Sequence, residues 1–190
     1  MRSFKKLSKF LNVRIVLQWD LFGCAKAAIK TAVKTKWDRD IDMSDHRLYI
    51  KKLWTLHFLA MANAALKKNK IKGRFVRKTY VRIDEIQSRL AEKKVMIALF
   101  ISWNKYPHYA VLVGMDEKKI FIADTYSGKI KDLPVADFVE RFNFHIGHIK
   151  QIEWMKWEHY PFMNRFSNRS IRIAKFLGIL KPGTVYILEE

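Results

Sequence analysis

The spacing of hydrophobic positions changes once along the chain. Up to about residue 70 they recur mainly at helical intervals, and beyond it they mostly alternate or run together. Residues 1–12 carry Phe4, Leu7, Phe10 and Leu11 as one side of a short basic amphipathic helix, and residues 13–17 form a short apolar run. GCAKAAIKTAVK, from Gly23, sets Ala28, Ala32 and Val33 among helix formers. That predicts a helix with Cys24 at or near its first turn. Ser44 or Asp45 is placed to cap a long helix over residues 48–68, whose Leu53, Leu56, Leu59, Ala60 and Met61 suit a core.

After that stretch the loose alternation of residues 74–81 predicts a strand, and Asp84 opens a short helix through Ile86 and Leu90. Residues 95–101 are continuously apolar, as in a strand buried on both sides. Residues 109–113 and 119–123 read as a hairpin around GMDEK. Pro134 fits the first turn of a helix carrying Val135, Phe138, Val139 and Phe142. Residues 149–157 read as a strand, 162–177 as a basic amphipathic helix and 185–188 as a last strand. Helices come first, followed by mainly antiparallel strands with helices interspersed, which is the α+β class.

The 190 residues suit one domain, with a core over about 13–157 and a basic C-terminal helical extension over about 158–190. No apolar run is long enough to span a bilayer, and the basic start has no unbroken apolar segment of the signal-peptide kind. The expected location is cytoplasmic. The single cysteine excludes an internal disulfide and a cysteine-rich metal site. The net charge of +19 is spread over the chain. It would favour an acidic partner, nucleic acid or an anionic membrane surface. No zinc-finger spacing, phosphate loop or RNP-like strand accompanies it.

The hairpin HYAVLVGMDEKKIFIAD begins with His108 and ends with Asp124. Pairing it symmetrically about Asp116 sets Ala110 against Ile122 and His108 against Asp124. Opposed residues of antiparallel strands share a face, with Cβ atoms about 5 Å apart. A carboxylate there would orient an imidazole as a general base. Cys24 at a helix N-terminus would have a lowered pKa and could act as the nucleophile. Gln18, before the loop WDLFG, has a side-chain NH₂ that could serve an oxyanion beside the Cys24 N–H. Read singly, these are a small buried thiol, a solvated strand-end pair and a strand-end glutamine.

Together the residues resemble the bacteriocin-processing, double-glycine leader peptidases, a papain-like cysteine peptidase family. QWDLFGCAKAAIKTAVK is similar to its glutamine, loop, catalytic cysteine and alanine-rich helix. HYAVLVGMDEKKIFIADTYSGKIKDL is similar to its histidine strand, turn, strand and aspartate, and LPVADFVERF to the short helix that follows. The resemblance implies a papain-like α+β fold with Cys24 as nucleophile, His108 as base, Asp124 as orienting acid and Gln18 as oxyanion donor. It also implies a peptide or protein substrate with glycine-tolerant subsites, and no cofactor. The family usually has Asp-Cys-Gly at the nucleophile and proline after the aspartate; this chain has Gly23-Cys24-Ala25 and Thr125. Relatives are commonly fused to a transporter, so without a membrane span or nucleotide motif a stand-alone relative is expected. Resolution of the acyl-enzyme by an amine would make the same machinery an acyltransferase or transglutaminase. A catalytically idle basic domain is the rival of a different class.

Other groupings invite blander readings. His145, His148 and His159 lack further ligands at metal spacing. Asp38, Asp40, Asp42 and Asp45 lack the glycine and final glutamate of a calcium loop, so they read as a solvated loop pairing with lysines. His57, Trp154, Trp157, Tyr160 and Phe162 read as core residues, the aromatics alternatively as a rim for a partner.

Overall fold

The computed structural model describes residues 10–18, 23–44, 58–102, 107–143 and 181–190. Four helices and six strands lie within them: α1 (Cys24–Trp37), α2 (Phe58–Lys68), β1 (Arg74–Lys78), α3 (Ile83–Ala91), β2 (Met96–Ile101), β3 (Pro107–Met115), β4 (Lys119–Asp124), β5 (Lys129–Pro134), α4 (Val135–Phe142) and β6 (Val185–Glu189). The strands form one sheet in the order β1-β6-β2-β3-β4-β5, antiparallel at every junction. The expected α+β class is what this arrangement is.

Helices cover both faces of the sheet, which is why its middle strands are apolar at consecutive positions. On one face α1 and α2 pack with Ile97, Leu99, Tyr109, Val111, Val113, Tyr186 and Leu188. On the other, α3 and α4 pack with Met96, Ala98, Phe100, Ala110, Leu112, Ile120, Ile122 and Ile187. Phe58 of α2 stacks on Tyr109 with ring centroids 4.4 Å apart and lies 4.2 Å from Tyr186. Phe138 of α4 stacks on Phe142 at 5.1 Å and meets Phe100 at 5.9 Å. Full burial of one such ring stabilises by about 1.5–3 kcal/mol, so each aromatic group helps to hold its helices on the sheet.

Three expectations need correction. The β3–β4 pairing is not symmetric about Asp116: Leu112 lies opposite Ile122, Val111 opposite Ala123, and a bulge falls between Leu112 and Gly114. The extra residue of the bulge and the close of the turn through Asp116 N–H to the Lys119 carbonyl move the register. Asp124 therefore lies diagonal to His108 rather than directly across. The shift is by an even number of residues, so both still belong to one face. Second, residues 185–189 are no appendage beyond the core, because β6 sits between β1 and β2 and pairs with both. Third, KIKDLP forms β5, a strand that its mostly exposed residues conceal, and Pro134 ends that strand as the residue before α4.

The predicted helix of residues 1–12 lies outside the described residues except at its end, as does residues 48–57 of the long helix, with His57. The predicted strand 149–157, the helix 162–177, His145, His148, His159, Trp154, Trp157, Tyr160 and Phe162 also lie outside them. Of the acidic cluster, Asp38 pairs with Arg14, Asp40 with Lys34 at 2.8 Å and Asp42 with Lys68 at 2.7 Å. Asp45 lies outside the described residues.

Residues 10–18 run as an extended strap. Leu11 N–H donates to the Val113 carbonyl, Val16 N–H to Thr31 Oγ1 of α1, and Gln18 N–H to the Thr125 carbonyl. The turn that joins β4 to β5 closes by Gly128 N–H to the Asp124 carbonyl at 2.9 Å. Gly128 has φ +70°, and a Cβ there would meet Leu17 Cδ2 of the strap at 2.8 Å. Gly128→Ala is expected to cost about 1–2 kcal/mol from the left-handed backbone alone. A urea midpoint that falls accordingly checks this; an unchanged midpoint contradicts it.

Candidate active site

Cys24 is the first residue of α1, and Gly23 before it supplies no side-chain cap. No acidic residue occupies the first turn. The partial positive charge of the helix start is therefore not neutralised by a capping side chain or a first-turn carboxylate, which favours a thiolate. The thiol is buried at 6% exposure among the residues on the α1 side of the sheet. It lies within electrostatic range of Tyr109, whose hydroxyl is pushed well above its ordinary 10 by burial first, then by Tyr186 and Cys24. Tyr109 is the residue after His108, and Cys24 belongs to the same core cluster as Tyr109.

His108 lies opposite Phe100 on β2, and the two rings meet edge to face at 5.7 Å. Phe100 belongs to the α4 side of the sheet. Asp124, at the end of β4, shares that side by alternation with Ile122. Burial pushes the His108 imidazole below its ordinary 6.5, the Asp124 carboxylate opposes that shift, and the Lys131 ammonium adds to it. That shift favours the neutral imidazole, the form that accepts a proton, for as long as the thiol keeps its own.

Asp124 is buried at 4% exposure. Burial raises its pKa, but a bond from Lys131 Nζ at 2.5 Å, one from Ser127 Oγ at 2.7 Å and one from Tyr126 N–H at 3.1 Å outweigh that and leave it below 3.8. The local sequence accounts for two of these bonds. An aspartate ahead of Tyr-Ser-Gly folds as an Asx turn, its carboxylate bonding the backbone N–H two residues on. Lys131 comes from β5, where it lies opposite Ile122 and so on the aspartate's face. Sequence reading missed Lys131, Ser127 and Thr125. The DTYSG turn signalled the second, and nothing in the pattern of β5 signalled the first.

Gln18 is held at its backbone by Thr125, and its side-chain Oε1 accepts from Thr125 Oγ1 at 2.9 Å. The structure thus couples His108 to Asp124, ties Gln18 to the residue after Asp124, and buries Cys24 in the same cluster as the residue after His108. The thiol belongs to the α1 side of the sheet, and the imidazole, beside Phe100, to the α4 side. Among the described residues no group of three or more His, Cys, Asp or Glu side chains is gathered to hold a metal ion, and no helix is long and apolar enough to cross a membrane.

Residues 12–146, well over half of the chain, match the Peptidase C39 family. The chain belongs to that family. It is a cysteine peptidase by that membership, and its α+β architecture is of the papain-like class expected for C39. Among the solved structures that match is a double-glycine motif protease from an AMS/PCAT transporter, in complex with the leader peptide. It is 12% identical, with a TM-score of 0.41 over 70% of this chain and 87% of that one. Curated proteins give no match.

Two consequences for this C39 chain concern charge. Lys131→Met removes a cation that holds the His108 pKa down, so that pKa is expected to rise in an NMR titration of the imidazole; an unchanged or lower value contradicts the account. The sign for stability follows from linkage. The unfolded imidazole takes a proton near 6.5 and the folded one resists it. The His108 contribution is therefore complete above 6.5 and declines as pH falls from there toward the folded pKa. His108→Phe should flatten that part of the stability–pH curve, measured by urea midpoints.

Proposed function

We propose that the protein, as one domain, cleaves a peptide bond through a thioester at Cys24, with His108 as base, Asp124 as its orienting acid and Gln18 as oxyanion donor. What supports this reading is the coupling of His108 to Asp124, with a cysteine at the first position of α1, in a chain of a cysteine peptidase family. The reading requires the sulfur to reach the imidazole near the start of β3, a strand that begins at Pro107.

His108 takes the thiol proton and Cys24 attacks the substrate carbonyl carbon. A carbon–sulfur bond forms as the carbonyl pair moves to oxygen, where the Cys24 N–H and the Gln18 NH₂ receive it. Collapse breaks the carbon–nitrogen bond, and the imidazolium gives its proton to the leaving amine. Water then attacks the thioester, passes a proton to His108 and releases the acid, with the thiol restored. The solved relative, bound to a leader peptide, makes a peptide with a glycine at the cleavage site the first substrate to try.

A peptide containing Gly-Gly is the direct assay. Cleavage is expected in the wild type, with an acyl adduct on Cys24 detectable by mass spectrometry after acid quench. Cys24→Ala is expected to abolish both, and His108→Ala to lower the rate by about 10²–10⁴-fold. Undiminished cleavage by Cys24→Ala overturns the proposal. Product carrying an added amine in place of water would assign acyl transfer.

A further inference from the structure

Thr125 is a polar residue with no exposed surface. A hydroxyl so buried costs stability unless it is bonded. This one donates to Gln18 Oε1 at 2.9 Å, across more than a hundred residues of sequence, while the Thr125 carbonyl receives the Gln18 backbone N–H at 2.9 Å. One residue therefore grips the glutamine at both backbone and side chain. It is also the neighbour of Asp124, and it is a position where this chain departs from the proline of the family it resembles.

A side-chain amide has an acceptor end and a donor end, and which end faces a given direction is set by its partners. Engaging the oxygen turns the NH₂ to the other side. We infer that Thr125 is a positioning residue, whose hydroxyl keeps the Gln18 amide in the orientation that presents NH₂ to a developing oxyanion. Because it adjoins Asp124, the same turn of chain sets the acid and the oxyanion donor together. The inference rests on the proposed roles of Cys24 and Gln18.

Two reagents separate positioning from general structure. Iodoacetamide alkylates a thiolate by displacing iodide from saturated carbon, so no oxyanion forms. With 4-nitrophenyl acetate the thiolate bonds to the acetyl carbon, the carbonyl pair moves to oxygen, and collapse expels 4-nitrophenolate. Thr125→Val is expected to slow acetylation of Cys24 by about tenfold or more while leaving alkylation unchanged. Thr125→Ser, which keeps the hydroxyl, should restore acetylation. In a Gln18→Ala background Thr125→Val should add no further loss.

Equal acetylation of Thr125→Val and a rapidly reacting wild type overturns the inference alone. So does a proportionate loss of acetylation and alkylation, which is the mark of a structural role. A wild type acetylated no faster than a simple thiol overturns the reading of Cys24, and the inference with it.

Discussion

The pairing of β3 with β4 is the interaction on which the rest depends. β3 lies in the interior of the sheet, with β2 on its other side, and its alternate residues serve two different layers. Tyr109, Val111 and Val113 complete the core beneath α1 and α2, and Ala110 and Leu112 the core against α3 and α4. A slip of one residue would exchange those sets and dissolve both cores. The same register sends His108 and Asp124 to one face and Tyr109 to the face of Cys24. The chemistry proposed for the start of β3 is thus a by-product of how its remainder is packed.

The aspartate is the most tightly specified charge in the site. A carboxylate with 4% exposure would be driven toward its neutral form if left alone. Lys131, Ser127 and the Tyr126 N–H offset that by bonding to it. The arrangement has a consequence for the histidine. Burial holds the imidazole below its ordinary pKa, the Asp124 carboxylate opposes that, and the positive field of Lys131 adds to it. An imidazole held toward neutrality while the thiol keeps its proton is able to accept that proton, which is what the proposed chemistry asks of it.

Much of this was legible in the local pattern. α1, α3, α4 and the hairpin strands were each announced by periodicity, because each buries one stripe or both faces in the ordinary way. The register was not legible, since the bulge beyond Leu112 is a backbone irregularity that Val113 and Gly114 do not advertise. Nor was β5, which is an edge strand with exposed lysines and exists because β4 pairs with it. The place of β6 between β1 and β2 depends on strand order, which no local window contains. In the candidate site, His108 and Asp124 stood out as the polar ends of an apolar hairpin. Lys131 and Thr125 did not, because a lysine on an edge strand and a threonine in a turn are ordinary until the fold brings them to Asp124 and Gln18.

The central claim is that Cys24 and His108 share a proton at the start of β3. The ultraviolet absorbance of the thiolate, followed against pH in wild type and His108→Ala, tests it most directly. The account predicts ionisation of Cys24 well below the ordinary thiol value of about 8.5, and an upward return when the imidazole is removed. Coincident titration curves for the two proteins would contradict it.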